Sequence, residues 1–208
     1  MLFSSMVFIF VFLPIVLALY YISPRRVRNL ILLISSIIFY AWGEPVYVFI
    51  MLGTILINYI GAIIVDKIKI MPYKRLALTL TILVDLSILF YFKYFNFFAQ
   101  NINKYLHGNI DFIYVIMPIG ISFYTFQAIS YVIDVFRGEV KAQRNIEKLA
   151  LFITFFPQLI AGPIVKYHDI CAQIENRQET IKDFILGLKR FIIGLAKKII
   201  IANTVAEI

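Results

Sequence analysis

The sequence has few of the residues on which many soluble enzymes and metalloproteins depend. Of its 208 residues one is cysteine, two are histidine and only 15% are charged. The single cysteine, Cys171, excludes an internal disulfide, and two histidines as far apart as His107 and His168 do not predict a metal cluster. The chain also lacks a Gly-x-Ser-x-Gly element and any cofactor-binding motif. We therefore expect no bound metal, no bound cofactor and no self-sufficient catalytic site.

Hydrophobic residues are present in large excess. They make up 62% of the chain, with a mean hydropathy of +0.87, whereas soluble domains are about 45–50% apolar. One small core could not bury this much apolar surface, which excludes the soluble globular and disordered classes. At about 20 residues per span plus loops, the length allows roughly five to seven crossings of a bilayer. The composition predicts an all-α, polytopic transmembrane helical bundle.

Polar and basic segments divide the first two thirds of the chain into five apolar runs, at 1–22, 30–42, 46–65, 76–98 and 112–133. Arginines follow the first run instead of preceding it, so it predicts a retained helix, which Ser23-Pro24 ends. The shorter run 149–165 contains prolines and predicts either a re-entrant element or a Pro-kinked span. From Thr180 to the last residue the pattern is amphipathic, with Asp183 placed for a capping box, which predicts an interfacial helix.

The basic residues indicate a topology. The chain has 20 Lys+Arg against 12 Asp+Glu, a net charge of +8. Most lie in three segments between apolar runs, at 25–28, 67–75 and 137–148. With five spans, all three segments lie on one side, which the positive-inside rule makes cytoplasmic, with an extracytoplasmic N-terminus. The charge is then explained by topology and anionic lipid headgroups, and we expect no binding of nucleic acid.

Polar residues inside apolar helices indicate a bundle interior or a pathway. The fifth run carries a polar stripe at i, i+3, i+7 and i+10, within roughly 80° on a helix, formed by Tyr124, Gln127, Tyr131 and Asp134. One interpretation is a lined tunnel or substrate groove. The other is a set of hydrogen bonds between helices that stabilises the bundle.

Three further polar features carry two interpretations each. Thr54, Asn58 and Gly61 share a face of the third run, which favours close helix packing over chemistry. Asp85 in the fourth run is either a proton-relay acid or, with more weight, a structural hydrogen-bonding group. His168 is either a general base or, again with more weight, a solvated residue at a helix start.

Six motifs occur in an order that resembles one family. They are MLFSSMVFIFVFLPIVLALYY at 1–21, RRVRNLILLISSIIFYAWGEP at 25–45, YFKYFNFF at 91–98, MPIGISFYTFQAISYVIDVFRGEV at 117–140, LFITFFPQLIAGPIV at 151–165 and GLKRFIIGLAKKIIIAN at 187–203. Together they resemble the N-terminal part of the membrane-bound O-acyltransferase (MBOAT) family. The bacterial branch concerned includes alginate O-acetyltransferases and teichoic-acid D-alanyl transferases.

The resemblance implies a fold and an activity. Family members transfer an acyl group to a hydroxyl, here an acetyl group to an alginate- or peptidoglycan-type polysaccharide or a carrier on the outer side. Transmembrane helices form a ring around a thinned centre, with re-entrant elements and a tunnel for the acyl donor. The donor, acetyl-CoA or a carrier-bound acyl group, is a substrate. Membrane lipid and an extracytoplasmic acetyltransferase are the other implied partners, and the bacterial inner membrane is the implied location.

The resemblance also bears on the site residues. The family's essential histidine is expected beyond Ile208, and neither histidine of this chain matches its motif, so residues 1–208 are interpreted as the N-terminal part of a single domain that is inactive alone. The candidates for lining the tunnel or substrate path are Tyr124, Gln127, Tyr131, Asp134, Gln158 and Pro163. The alternative is a non-enzymatic polytopic membrane protein, a transporter or an assembly scaffold, with the polar stripe as a conduction path.

Overall fold

A computed structural model describes residues 3–105, 114–159 and 165–206, and all regular secondary structure in these ranges is helical. The predicted all-α class is therefore confirmed for this part of the chain. The helices are α1 (Leu13–Ile22, preceded by a π-helical segment Phe8–Phe12), α2 (Arg25–Ala41), α3 (Val48–Lys67), α4 (Met71–Tyr105), α5 (Ile121–Arg137), α6 (Ile146–Thr154), α7 (Phe156–Leu159), α8 (Tyr167–Glu175), α9 (Ile181–Ala196, continued by a π-helical segment Lys197–Ala202) and α10 (Asn203–Ala206).

Two of the described helices, α3 and α4, are long and apolar enough to cross a membrane. At about 1.5 Å per residue the 20 residues of α3 extend about 30 Å, the thickness of a bilayer's hydrocarbon core, and the 35 residues of α4 extend well beyond it. The continuous helical segment Phe8–Ile22 is apolar but shorter. The finer prediction of five to seven membrane segments stays a prediction.

Two helix boundaries differ from the apolar runs. Helix α2 begins at Arg25, because Pro24 has an extended backbone and presets the first turn, so the first basic segment lies in a helix instead of a loop. Helix α5 begins at Ile121, later than the apolar run, since Gly120 adopts a left-handed φ of +76° at its N-terminus. The expected break at Ser23 is confirmed, as is the cap at Thr180, whose Oγ1 accepts from the Asp183 amide at 3.1 Å.

The core forms around α5, which packs against α3, α4 and α6. Helix α3 also packs against α4, and α2 packs against α6. Every residue from 149 to 154 in α6 is buried, whereas α9 buries none of its residues. Helix α6, unlike the amphipathic C-terminal helix, therefore contributes fully buried residues to the core around α5.

The apolar segment 149–165 is broken, as its prolines predict. Helix α6 ends at Thr154 and a separate turn of helix, α7, begins at Phe156. With nine residues, α6 is about 14 Å long and cannot cross a bilayer alone. The Ala161-Gly162-Pro163 triplet lies outside the described residues.

Candidate functional site

The polar stripe of α5 is buried along its whole length. Tyr124, Gln127, Tyr131 and Asp134 each expose 4% or less of their surface. The residues of the stripe have different neighbours: Tyr124 contacts α2, and the other three contact α6, α8 or the loop before α6.

Tyr124 lies apart from the rest of the stripe. Its ring packs edge-to-face against Tyr40 of α2, with centroids 6.4 Å apart. This contact joins the start of α5 to the end of α2, and it makes Tyr124 part of the packing between these helices.

Gln127 and Gln158 meet at one backbone carbonyl. The Gln127 Nε2 donates to the Phe152 oxygen at 2.9 Å, and the Gln158 Nε2 donates to the same oxygen at 2.6 Å. In an unbroken helix the amide of Phe156 would occupy this carbonyl, but that amide donates to Ser36 Oγ of α2 at 3.2 Å. The three side chains thus satisfy backbone groups that the break in the α6–α7 segment leaves free.

Tyr131 belongs to a hydrogen-bonded chain that reaches α8. Its hydroxyl accepts from the backbone amide of Gln143 at 2.8 Å, and the side-chain Nε2 of Gln143 donates to the Tyr167 hydroxyl at 2.9 Å. The Tyr131 and Tyr167 rings are edge-to-face at 5.0 Å. Burial raises the pKa of the Tyr167 phenol, and the two hydrogen bonds of Gln143 hold the loop 138–145 against both helices.

Asp134 ends the stripe beside a histidine. The Nδ1 atom of His168 lies 3.5 Å from Asp134 Oδ2 and 3.6 Å from Glu139 Oε2. The His168 side chain is 36% exposed and lies at the start of α8, so it is in contact with solvent as well as close to these two carboxylates. Pro163 and His107, the remaining residues considered from sequence, lie outside the described residues.

A cavity of about 650 Å³ lies between the N-terminal helices, α7 and α9. Its walls are mainly apolar and aromatic, and the lining residues with polar side-chain groups are Tyr20, Tyr21, Arg177 and Lys198. A second cavity of about 350 Å³ is lined by Gln158, Phe152 and again Arg177. Of the five predicted lining residues that the structure describes, only Gln158 borders either of these cavities, and the lining role of the set stays a prediction.

Arg177 and its partners form the polar rim of the larger cavity. Its guanidinium donates to the Tyr20 hydroxyl at 2.9 Å, and that hydroxyl donates to Glu179. Arg28 forms a 2.9 Å ion pair with Glu179. Burial tends to raise the pKa of the Glu179 carboxyl, but the hydrogen bonds from Tyr20 and Arg28 outweigh it and lower that pKa below its usual value.

Sequence reasoning placed His168 correctly at a helix start, but it missed this rim and the two carboxylates beside His168. The Arg177–Tyr20 contact joins residues 157 positions apart, and the Arg28–Glu179 contact joins residues 151 apart. Neither pair lies on one helix face or in one motif. The only local signal was the charge of Arg177 and Glu179 in the linker between α8 and α9.

The described residues form a helical protein with two helices that are long and apolar enough to cross a membrane, and with apolar cavities beside a broken helix. The chain is 46% identical over 215 residues to a probable alginate O-acetylase AlgI of Pseudomonas syringae, and 43% identical over 217 residues to one of Pseudomonas aeruginosa. It is 32% identical over 239 residues to a peptidoglycan O-acetyltransferase of Helicobacter pylori. These matches cover 99–100% of the chain and 41%, 41% and 45% of the relatives, so the chain spans less than half of their length.

The resemblance to the membrane-bound O-acyltransferase family is thus confirmed: over its whole length the chain is homologous to members of that family. No family model matches the chain, and no solved structure matches it significantly.

Proposed function

We propose that this chain is part of a membrane-bound O-acyltransferase that acetylates hydroxyl groups of a cell-envelope or extracellular polysaccharide. The observation that carries the proposal is the similarity of the entire chain to alginate O-acetylases, at 43–46% identity in the two Pseudomonas proteins. The peptidoglycan O-acetyltransferase matches the same length of chain. The names of these relatives share O-acetyl transfer and a polysaccharide acceptor, and differ in which polysaccharide.

The cavity between the N-terminal helices and α9 suits one part of such a reaction. In an acyl donor of this kind, a thioester or ester bond links the acyl group to a carrier that bears anionic phosphate. A cavity of about 650 Å³ with apolar walls and the cations of Arg177 and Lys198 has the size and chemistry of a small-molecule site. In the proposal the apolar walls hold the acyl-bearing end and the two cations hold the anionic part of the donor.

The transfer step requires a base. The acceptor hydroxyl oxygen forms a C–O bond with the acyl carbon, the bond from that carbon to its carrier breaks, and the hydroxyl proton passes first to the base and then to the leaving group. We assign this base to the essential histidine that the family resemblance implies beyond Ile208. Residues 1–208 then contribute donor binding and the scaffold around the broken segment.

The topology forms part of the proposal: a multi-pass protein of the bacterial cytoplasmic membrane with an extracytoplasmic N-terminus. Contacts between the basic segments support it. Arg144 forms a 3.0 Å ion pair with Asp66, and the Lys74 Nζ donates to the Phe136 oxygen at 3.0 Å. The second and third basic segments therefore lie together, as the positive-inside rule requires if both are cytoplasmic. A polysaccharide acceptor on the outer side is then reached from a donor on the inner side.

The test is the acetylation of polysaccharide in living cells. The gene is expressed in a strain lacking its own polysaccharide O-acetylation, and acetate released from purified polymer by mild alkali is measured. Because hydrogen bonds to charged groups contribute about 1.5–3 kcal/mol, Arg177→Gln should reduce acetylation roughly 10- to 100-fold. Arg26→Gln, at an exposed arginine of α2, is the matched control and should match the unmodified protein. Polymer without ester-linked acetate, from protein that reaches the membrane, would contradict the proposal and favour a transporter or scaffold.

A further inference from the structure

Three potential ligand atoms converge where α5 ends and α8 begins. They are Asp134 Oδ2, Glu139 Oε2 and His168 Nδ1, and all lie within 4.8 Å of one another. Asp134 lies in the last turn of α5, Glu139 follows the turn that ends this helix, and His168 is the second residue of α8. We call these three residues the carboxylate–histidine triad.

The distances within the triad suit a shared cation better than direct hydrogen bonds. The Nδ1 of His168 is 3.5 Å from one carboxylate oxygen and 3.6 Å from the other, beyond the usual 2.7–3.2 Å of an N–H···O hydrogen bond. Two ligands that each lie about 2.1 Å from a tetrahedral zinc ion are separated by about 3.4 Å. The two distances from His168 Nδ1 therefore match the separation of neighbouring ligands around a tetrahedral ion, and the two carboxylate oxygens lie within 4.8 Å of each other.

The buried carboxylate of Asp134 supplies an independent observation. Its side chain is 3% exposed, and its Oδ2 atom forms no hydrogen bond with any residue that the structure describes. A buried charged oxygen without a partner is costly. This same oxygen faces His168, so a cation placed between the two would compensate the charge of Asp134.

The outer contacts of the triad orient it for a cation. His168 Nε2 lies 3.0 Å from Asp169 Oδ1, so a carboxylate flanks the ring nitrogen that faces away from the triad, where such groups commonly orient metal-bound histidines. Arg137 approaches the other oxygen of Glu139, Oε1, at 3.8 Å. The arginine therefore does not occupy the Oε2 atom that faces the triad.

We propose that Asp134, Glu139 and His168 bind one divalent transition-metal cation, with Zn²⁺ as the best match. One imidazole nitrogen and two carboxylate oxygens suit Zn²⁺ and Mn²⁺ better than Mg²⁺ or Ca²⁺, which prefer all-oxygen sites. The ion connects the end of α5 to the start of α8 and fills its remaining position with water. Sequence reasoning missed the site because its ligands are spread over residues 134–168 and only one of them is a histidine.

The experiment measures Zn²⁺ binding to detergent-purified protein after treatment with a chelator, by calorimetry and by metal analysis of the gel-filtered protein. One equivalent should bind. Asp134→Asn and His168→Ala should abolish this equivalent, and the change at the orienting carboxylate, Asp169→Asn, should weaken it roughly 10- to 100-fold. Asp183→Asn and His107→Ala are the controls matched in residue type and should bind as the unmodified protein does.

A second measurement covers variants that fail to fold. X-ray absorption of the Zn²⁺-loaded, unmodified protein should show nitrogen and oxygen ligands only. Cys171 lies on the same helix as His168, so a Zn–S distance of about 2.3 Å would overturn the assignment. No stoichiometric binding by the unmodified protein, or undiminished binding by Asp134→Asn and His168→Ala, would overturn the proposal as well.

Discussion

Gly61 is the position at which the packing of α3 against α4 allows the sharpest test. A Cβ atom added at Gly61 would lie 2.5 Å from Thr81 Oγ1 and 2.7 Å from Thr81 Cγ2. Thr81 is 9% exposed and its hydroxyl donates to the Ala77 oxygen within α4. The threonine therefore has little room to move, and Gly61→Ala must separate the two helices or rotate Thr81.

The size of the effect follows from this overlap. Adding a methyl group to a well-packed contact costs about 1–3 kcal/mol, and we expect Gly61→Ala to lower the free energy of unfolding by this amount. Thr81→Ala removes both atoms under 3.0 Å and leaves the closest approach at 3.2 Å, to Thr81 Cβ. Combining the two changes should therefore restore part of the stability, with a coupling of about 0.5–3 kcal/mol.

The assay is thermal unfolding of the detergent-purified protein, followed by size-exclusion chromatography of heated samples. Gly53→Ala is the matched control in the same helix, because no atom lies within 4 Å of its added Cβ. It should leave stability unchanged or raise it slightly, since alanine is the better helix former. The close packing of Gly61 against Thr81 would be refuted if the Gly61→Ala variant were as stable as the Gly53→Ala variant. It would also be refuted if adding Thr81→Ala to Gly61→Ala restored no stability.

Three further predictions rest on other parts of the structure. Gln127→Leu and Gln158→Leu should each be tolerated better than their combination, which removes both side-chain donors from one buried carbonyl and should cost about 1–3 kcal/mol; equal thermal stability of single and double variants would refute this. The lowered pKa of Glu179 stabilises the fold fully above the usual carboxyl pKa of about 4.5, and this stabilisation is lost as the pH falls through the lowered value. Glu179→Gln should flatten the pH dependence of thermal stability in that acidic range, and an unchanged profile would argue against the contact. Reporter fusions should be extracytoplasmic after Lys104 and cytoplasmic after Arg144, and reversal of either would disprove the orientation.

Features that depend on neighbouring residues were predictable from the sequence. Proline at position 24 and the Thr180–Asp183 pair fix helix ends through their own backbone chemistry, and the structure confirms both. The shared face of Asn58 and Gly61 also predicted close packing, and the Asn58 Nδ2 donates to Asp85 Oδ1 of α4 at 2.9 Å. That contact agrees with the structural interpretation of Asp85.

Features that depend on distant residues were not predictable in this way. The sequence singled out Tyr131 and Asp134 as parts of one stripe, but it could not show that Gln143 bridges the first to Tyr167 or that His168 lies beside the second. These partners lie in α8 and in the loop before α6, and the residue periodicity of α5 does not predict which residues of those elements contact it. A stripe on one helix predicts which side chains point inward, and the identity of their partners depends on how the broken segment folds back.

The broken segment itself supports a functional interpretation over a merely tolerated irregularity. A helix break in an apolar environment leaves backbone groups unpaired, at a cost that lipid cannot relieve. Here Ser36 accepts the freed amide, and two glutamines from different elements donate to the freed carbonyl. The break also borders both apolar cavities, through Phe155 in each of them and through Gln158 in the smaller one. Three polar side chains thus stabilise a discontinuity beside two cavities, and a continuous helix would need none of them.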